Sequence, residues 1–371
     1  MKHVEKREIL NSHSPIIDRI FRQNCIFFDI ETTGFSSSNS MIYLIGTMRR
    51  EGTTFIIDQF FAESKQDEPL LLNAFLESLE NKDTLLSFNG VGFDLPFIKG
   101  RCAKYHIEEN LKDFHSIDIY KLVTSLKFLL QLPNYKQKSI EAFLGITRDD
   151  TFSGGELIEV YEEYIYTKDK KLEHFLLLHN YEDVLGMLEL LPVFVYSETL
   201  NGAYQIDSTD IYSYQSYDGE NCKELIISLK NEFPVPKPVS YHQGDCYLSM
   251  NDSISKLRIP ILEGELKYFY PNYKDYFYLP KEDMVIHKSV ASFVDKEFKE
   301  KAKACNCYTR KNSCFIPQLQ DYFEPVFLTD FKSKPCYFEL TDEFLDSKED
   351  IILYVNQLFQ SFIKAKRKDR L

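Results

Sequence analysis

Apolar and polar positions first fall into a regular pattern at residue 25. Three runs, CIFFDI (25–30), MIYLIGTMRR (41–50) and TTFIIDQFFA (53–62), are rich in β-branched and aromatic residues, and Glu51-Gly52 separates the last two. Such runs predict three strands in a meander whose second connection is a hairpin. EPLLLNAFLESLE (68–80) then spaces its apolar residues as a helix does, and TLLSFN (84–89) reads as a short strand. DLPFIKGRCAKYHI (94–107) should be helical, and FHSIDIY (114–120) a further strand or extended segment. From 120 to about 195 the pattern is helical, punctuated at Pro133, Gly145 and Ser153-Gly154-Gly155. Strands first and helices last predict α/β layers around one mostly parallel sheet.

The second half differs in kind. Beyond about residue 200 the chain turns rich in Tyr, Asp, Ser and Asn, and then KELIISL (223–229), DCYLSM (245–250) and GELKYFY (264–270) read as short strands. One helix is expected near 290–303 and another near 348–366. A length of 371 residues exceeds what one core usually organises, so two domains are expected, 1–199 and a second, α+β domain over 200–371. No internal repeat or long low-complexity segment interrupts either half.

One detail of the first predicted strand is electrostatically costly. Successive strand side chains point to opposite faces, so Asp29 and Glu31 share one face and Ile30 takes the other. Two carboxylates so close repel unless a divalent metal, another cation or a shared proton neutralises them. Other acidic positions stand in comparable settings. Asp94, in SFNGVGFDLPF, opens a predicted helix, where an Asp alone is most simply an N-cap. His179 and Asp183, in LLLHNYEDVLGMLELL, are spaced i and i+4 and share a helix face. Leu176, Leu177, Val184, Met187, Leu188 and Leu191 surround that helix with apolar positions, leaving little room for a solvated stripe. Taken alone, His179 reads as an ordinary core or surface histidine.

Taken together, DIET at 29–32, NGVGFDLP at 89–96 and HNYED at 179–183 form an ordered set of acidic motifs. In that order they resemble the DEDD (DnaQ-like) exonuclease superfamily of RNase H-like folds, and within it the YprB-like group. FSGGELIEVYEEY and HSIDIYKL fit the same resemblance, which covers roughly residues 24–195 and does not extend to 200–371. It implies an RNase H-like mixed sheet flanked by helices. It also implies that Asp29, Glu31, Asp94 and Asp183 hold two Mg²⁺ or Mn²⁺ ions for 3′-to-5′ hydrolysis of single-stranded nucleic acid or a frayed 3′ end. His179 would orient or deprotonate the attacking water, although it stands at the spacing where relatives carry Tyr, which leaves Tyr181 as the rival. Thr32, Asn89 and Phe93 become candidates for substrate contact. Phe88 fits core packing better than stacking on a base, and Asp118 either supports the metal site or caps the next helix. Ser153-Gly154-Gly155 lacks the Lys-Ser/Thr end of a phosphate-binding loop and reads as a turn.

Composition narrows the remaining choices. A net charge of −13 argues against an extended duplex-binding surface, which would be built from Lys and Arg, but agrees with acidic metal ligands. The C-terminal KAKRKDRL is a basic patch read as a solvated helix end ahead of a phosphate contact. Eight irregularly spaced Cys, with no apolar signal core at the N-terminus and no run near the ~20 apolar residues of a membrane span, point to reduced thiols in a cytoplasmic protein. Cys305, Cys307 and Cys314 lack paired knuckle spacing, and free thiols are favoured over a structural metal. Two rival functions remain: an endonuclease or structure-specific nuclease with the same chemistry, and a catalytically silent nucleic-acid-binding module.

Overall fold

In the computed structural model, residues 1–9, 14–149 and 154–365 are described. Ser153 of the Gly-rich turn and all but the first two residues of KAKRKDRL lie outside them. The chain forms two compact units, Met1–Ser197 with Val235–Lys237, and Glu198–Pro234 with Pro238–Leu371. Among the described residues no helix is long and apolar enough to cross a membrane.

The first unit is built on a six-stranded mixed sheet. Its strands are β1 (Lys2–Ile9), β2 (Cys25–Thr32), β3 (Ile42–Glu51), β4 (Thr54–Phe61), β5 (Thr84–Ser87) and β6 (His115–Asp118), in the order β1-β4-β3-β2-β5-β6. Three neighbouring pairs, β1/β4, β4/β3 and β3/β2, are antiparallel, and only β2/β5 and β5/β6 are parallel. The expectation of a mostly parallel sheet is therefore corrected. Short connections between β2, β3 and β4 force antiparallel pairing, and parallel neighbours arise only where a helix carries the chain back across the sheet. Strand β1 escaped the sequence pattern because its charged residues face both ways, as befits an edge strand protected by charge.

Among the described residues, helices follow the strands or lie between them: α1 (Pro15–Ile20), α2 (Glu68–Ser78), α3 (Asp94–Tyr105), α4 (Ile119–Ser125), α5 (Lys127–Leu130), α6 (Gln137–Leu144), α7 (Gly154–Thr167), α8 (Lys170–Leu190) and α9 (Phe194–Leu200). Alternation along β2 sends Phe28 toward α2, where its ring centroid is 5.6 Å from that of Phe75. Asp29 and Glu31 turn to the other face, against which α8 packs across β2, β3 and β4. Helices thus cover both faces, the arrangement of an RNase H-like domain.

One buried ion pair ties the α2 side together. Glu68, fully buried, accepts from the Ile42 amide at 2.7 Å, from Arg101 Nε at 2.7 Å and from the Tyr105 hydroxyl at 2.8 Å. Arg101, also buried, donates in addition to the Ser37 carbonyl at 2.7 Å, in the loop that leaves β2. A buried pair of this kind persists because every donor and acceptor is satisfied.

The second unit is β-rich. Its larger sheet contains β7 (Tyr204–Gln215), β8 (Asn221–Asn231), β9 (Val239–Gln243), β10 (Cys246–Asn251), β11 (Ile254–Phe269), β15 (Tyr308–Gln318) and β16 (Cys336–Glu339), and a smaller sheet contains β12 (Tyr276–Leu279), β13 (Met284–His287) and β14 (Glu300–Lys301). Helices α10 (Asp342–Asp346) and α11 (Lys348–Ala365) close the chain, the latter where a helix was expected. The helix expected near 290–303 does not form. Short 3₁₀ turns at Ala291–Phe293 and Lys296–Phe298 take its place, and Glu300 and Lys301 pair with Tyr278 and Phe277. Val290 and Phe293 stay exposed, so no buried face rewards a helix there.

We expect Arg101→Met to lower the unfolding free energy by about 3–5 kcal/mol, because Glu68 would be left as an uncompensated buried charge. The check is the urea-unfolding midpoint at unchanged slope.

Candidate active site

The site starts from a missing side chain. Asp29 on β2 lies opposite Gly46 on β3, which lies opposite Gln59 on β4. A Cβ at Gly46 would stand 2.2 Å from Asn180 Oδ1 and 2.8 Å from Val184 Cγ2, distances no real Cβ tolerates. Glycine therefore lets α8 settle onto the sheet, where the Asn180 amide spans the gap. Asn180 Nδ2 donates to Asp29 Oδ2 at 3.0 Å, and Gln59 Nε2 donates to Asn180 Oδ1 at 3.0 Å.

That docking carries His179 and Asp183 to the end of β2. His179 is buried, with Nε2 3.2 Å from Asp183 Oδ2 and 3.6 Å from Glu31 Oε1. Glu31, His179 and Asp183 offer donor atoms that all lie within 4.8 Å of one another, and among the described residues no other group of three or more His, Cys, Asp or Glu could hold a metal ion. Cys305, Cys307 and Cys314 are not part of that group, and none of them is in a disulfide.

Asp94 enters from the other side. It is the first residue of α3, and its Oδ1 accepts from the amide of Ile30, between Asp29 and Glu31, at 3.3 Å. One of its oxygens thus engages β2, whereas a helix-capping role falls to Asp118 at the start of α4. Asp118 accepts from the amides of Tyr120 at 3.0 Å and Lys121 at 3.4 Å, and also from those of Asn89 at 2.8 Å and Val91 at 3.3 Å. It thereby fastens the loop that presents Asp94.

Electrostatics follow from this crowding. Burial, then the charges of Asp183, Glu31 and Asp94, push the Asp29 carboxyl well above its usual range, against the pull of the Asn180 amide. Burial raises Asp94 to about 7 despite backbone amides from Asp94 and Ile30, with Asp118 and Asp183 adding to the rise. Two carboxyl groups that hold protons this tightly lack full compensation for their charge. Carboxylate oxygens with a single imidazole form a donor set suited to a hard divalent cation, which would supply that compensation.

Thr32, Asn89 and Phe93 are not part of the carboxylate cluster. Thr32 is the last residue of β2, and Asn89 and Phe93 occupy the loop beyond the carboxyl end of its parallel neighbour β5. Thr32 Oγ1 donates to the Gly34 carbonyl at 2.8 Å. Asn89 sits at φ 66° and is the pivot of the turn, its carbonyl accepting from Gly92 at 3.0 Å and Phe93 at 3.1 Å. Phe93 is half-buried, its ring centroid 6.5 Å from that of exposed Phe35. Phe88 packs edge-on against Tyr120 at 5.8 Å. Tyr181 turns away, its hydroxyl donating to Glu8 on β1 at 2.6 Å beneath Lys6.

Three residues of the site were not singled out by sequence reasoning. Gly46 could have been noticed, since a Gly inside a strand pattern often marks a close approach. Asn180 lies within the HNYED motif. Arg148 left no local signal: its guanidinium bridges Glu141 of α6 and Oδ1 of Asp183, and only the tertiary fold joins them.

Residues 26–195 match the family model described as RNase_H superfamily, in agreement with the fold. No curated protein matches the chain. Similar solved structures include the family B DNA polymerase of the archaeon Pyrobaculum calidifontis, at 16% identity over 45% of this chain and 24% of that one, with a TM-score of 0.36. E. coli exonuclease I bound to a 5cy-dT13 oligonucleotide is similar at 11% identity over 56% of this chain and 54% of that one, with a TM-score of 0.30. The same enzyme bound to dA16 gives 12% identity, the same coverage and a TM-score of 0.28. The chain thus spans about half the length of exonuclease I and about a quarter of the polymerase.

A folded carboxyl with raised proton affinity makes the metal-free protein lose stability as pH climbs from the ordinary Asp value of 3.8 toward the value of about 7 at Asp94. A bound cation reverses that penalty but must displace protons at low pH. We expect Mn²⁺ to raise the Tm more at about pH 8 than at about pH 5.5. Differential scanning fluorimetry of wild type and Asp94→Asn checks this, the variant showing a smaller rise and a flatter pH dependence.

Proposed function

We propose that this chain is a metal-dependent 3′-to-5′ exonuclease acting on single-stranded or frayed nucleic acid through residues 1–199, with 200–371 as an accessory domain. The observation that carries the proposal is the meeting of Glu31, His179 and Asp183, whose ligand atoms lie within 4.8 Å of one another, with Asp29 and Asp94 near enough to feel the charge of Asp183 but outside that group. The order of motifs resembles that of the DEDD, YprB-like nucleases, and that resemblance supports the reading.

Asp29, Glu31, Asp94 and Asp183 would hold two Mg²⁺ or Mn²⁺ ions, which when bound activate water and neutralise charge on the leaving oxygen of a phosphodiester. The protein's own groups divide the remaining work. The imidazole of His179, between Glu31 and Asp183, accepts the proton of the attacking water. Arg148 holds Oδ1 of Asp183 and leaves Oδ2 turned toward His179, while Asn180 fixes the rotamer of Asp29. Exposed Phe35 with Phe93 offers aromatic edges and faces to a terminal base, and Asn89, exposed beside them, an amide to its sugar or phosphate. Thr32 keeps the turn below Phe35 in shape through Gly34.

We expect Asp29→Asn, Glu31→Gln, Asp94→Asn and Asp183→Asn each to abolish Mn²⁺-dependent trimming of end-labelled single strands. His179→Ala should cost about 10²–10⁴-fold in rate. Tyr181→Phe should be nearly silent, since its hydroxyl serves β1. A 3′-blocked strand separates the readings: an exonuclease stalls on it and an endonuclease cuts it. An Asp29→Asn protein as active as wild type, or a wild type inactive on every strand with metal present, would overturn the assignment, the latter in favour of a silent binding module.

Gly46→Ala tests the docking of α8. A displacement of ~1 Å at reacting groups typically costs about 100-fold. We expect a loss of that order in trimming rate with the circular dichroism spectrum retained, although no carboxylate has been altered.

A further inference from the structure

In the second unit, one face of an antiparallel sheet is fully buried, while the other buries Glu224 and Ser228 but leaves its longer side chains exposed. The strands run in the order β7-β8-β11-β10-β9. Leu225, Ile227, Leu257, Ile259, Leu248 and Met250 point to one side and are fully buried. Helix α11 covers that side, with Phe362 5.4 Å from Tyr241.

The register fixes what the opposite side displays. Asp210, Ile226, Arg258, Tyr247 and His242 form one cross-strand row, and Tyr212, Glu224 and Pro260 the next. Tyr214 follows Tyr212 on the same face. The two rings are nearly parallel, 14° apart in plane with centroids 6.2 Å apart, and are 52% and 40% exposed. Two large, parallel, solvent-exposed rings on a strand that, among the described residues, is paired along one edge only are not explained by core packing. A second aromatic pair, His242 and Tyr247, stands across the sheet with centroids 5.1 Å apart.

Charge selects the occupant. On a chain of net charge −13, the residues in register on this face place Lys230, Lys256 and Arg258 against Asp210 and Glu224. Glu224 is itself engaged, accepting from Arg258 Nε at 3.0 Å, which fixes the guanidinium between the two aromatic pairs. Flat rings interleaved with cations on an open sheet suit unpaired bases stacked on the rings, with the backbone phosphates over the cations. We propose that this face binds single-stranded nucleic acid through Tyr212, Tyr214, Arg258 and Lys256. The choice of nucleic acid as ligand rests on the nuclease reading of the carboxylate site.

The test uses the full chain in EDTA, which suppresses hydrolysis, and fluorescence anisotropy with a labelled oligothymidylate of about 20 nucleotides, longer than the ~4–16 nucleotides such a surface engages. The Tyr212→Ala/Tyr214→Ala protein should bind about tenfold or more weaker. The Tyr212→Phe/Tyr214→Phe protein, which keeps the rings, should bind as wild type. Lys256→Glu should weaken binding and lower the salt slope by about 1. Unchanged affinity in the double Ala variant, or equal loss in the Phe and Ala variants, would overturn the proposal. A wild type that trims strands yet binds them independently of the Tyr pair sinks this inference alone. A wild type that binds through the Tyr pair but trims nothing with Mn²⁺ sinks the nuclease reading and leaves this surface standing.

Discussion

The closeness of α8 to the sheet governs the first unit. Val184 and the Asn180 amide occupy the volume that any side chain at Gly46 would need, so the helix cannot recede without opening a void, nor can the strand accept a larger residue. With that contact made, Asn180 joins β2 to β4 across the gap, and the turns on either side deliver His179 and Asp183 to Glu31. Packing thus sets the geometry, and the polar groups inherit it.

The same contact concentrates negative charge where water is scarce. The elevated proton affinities of Asp29 and Asp94 record the energy of holding these groups together. Arg148 tempers the problem at Asp183 alone and is itself shared with buried Glu141. Such a cluster destabilises the fold in isolation, and a cation bound among its carboxylates would relieve that cost.

Much of this was legible in the chain. The runs at 25–30, 41–50 and 53–62 gave strands because their side chains are buried on both faces, leaving long apolar stretches. Asp29 and Glu31 stand out as charges at the end of an apolar run, whereas Asp94, His179 and Asp183 become candidates only through the order of motifs that joins them. Strand β1 could not be picked out, since its pairing with β4 rather than any periodicity makes it a strand. At 290–303 the spacing suited a helix, but the competing pairing of Glu300 and Lys301 with β12 prevailed. Arg148 shows the limit most clearly: 35 residues separate it from Asp183, and nothing local announces the bond.

Arg101 has a role that reaches beyond the core. Besides Glu68 it holds the Ser37 carbonyl, so the loop that carries Phe35 away from β2 hangs from the same buried ion pair that joins α2, α3 and β3. In terms of cooperativity, that loop belongs to the global unfolding unit and not to the frayed periphery where most surface loops reside. Amides that exchange through local openings elsewhere would here wait for the core to open, and substitutions tolerated by an ordinary loop would be felt throughout the domain.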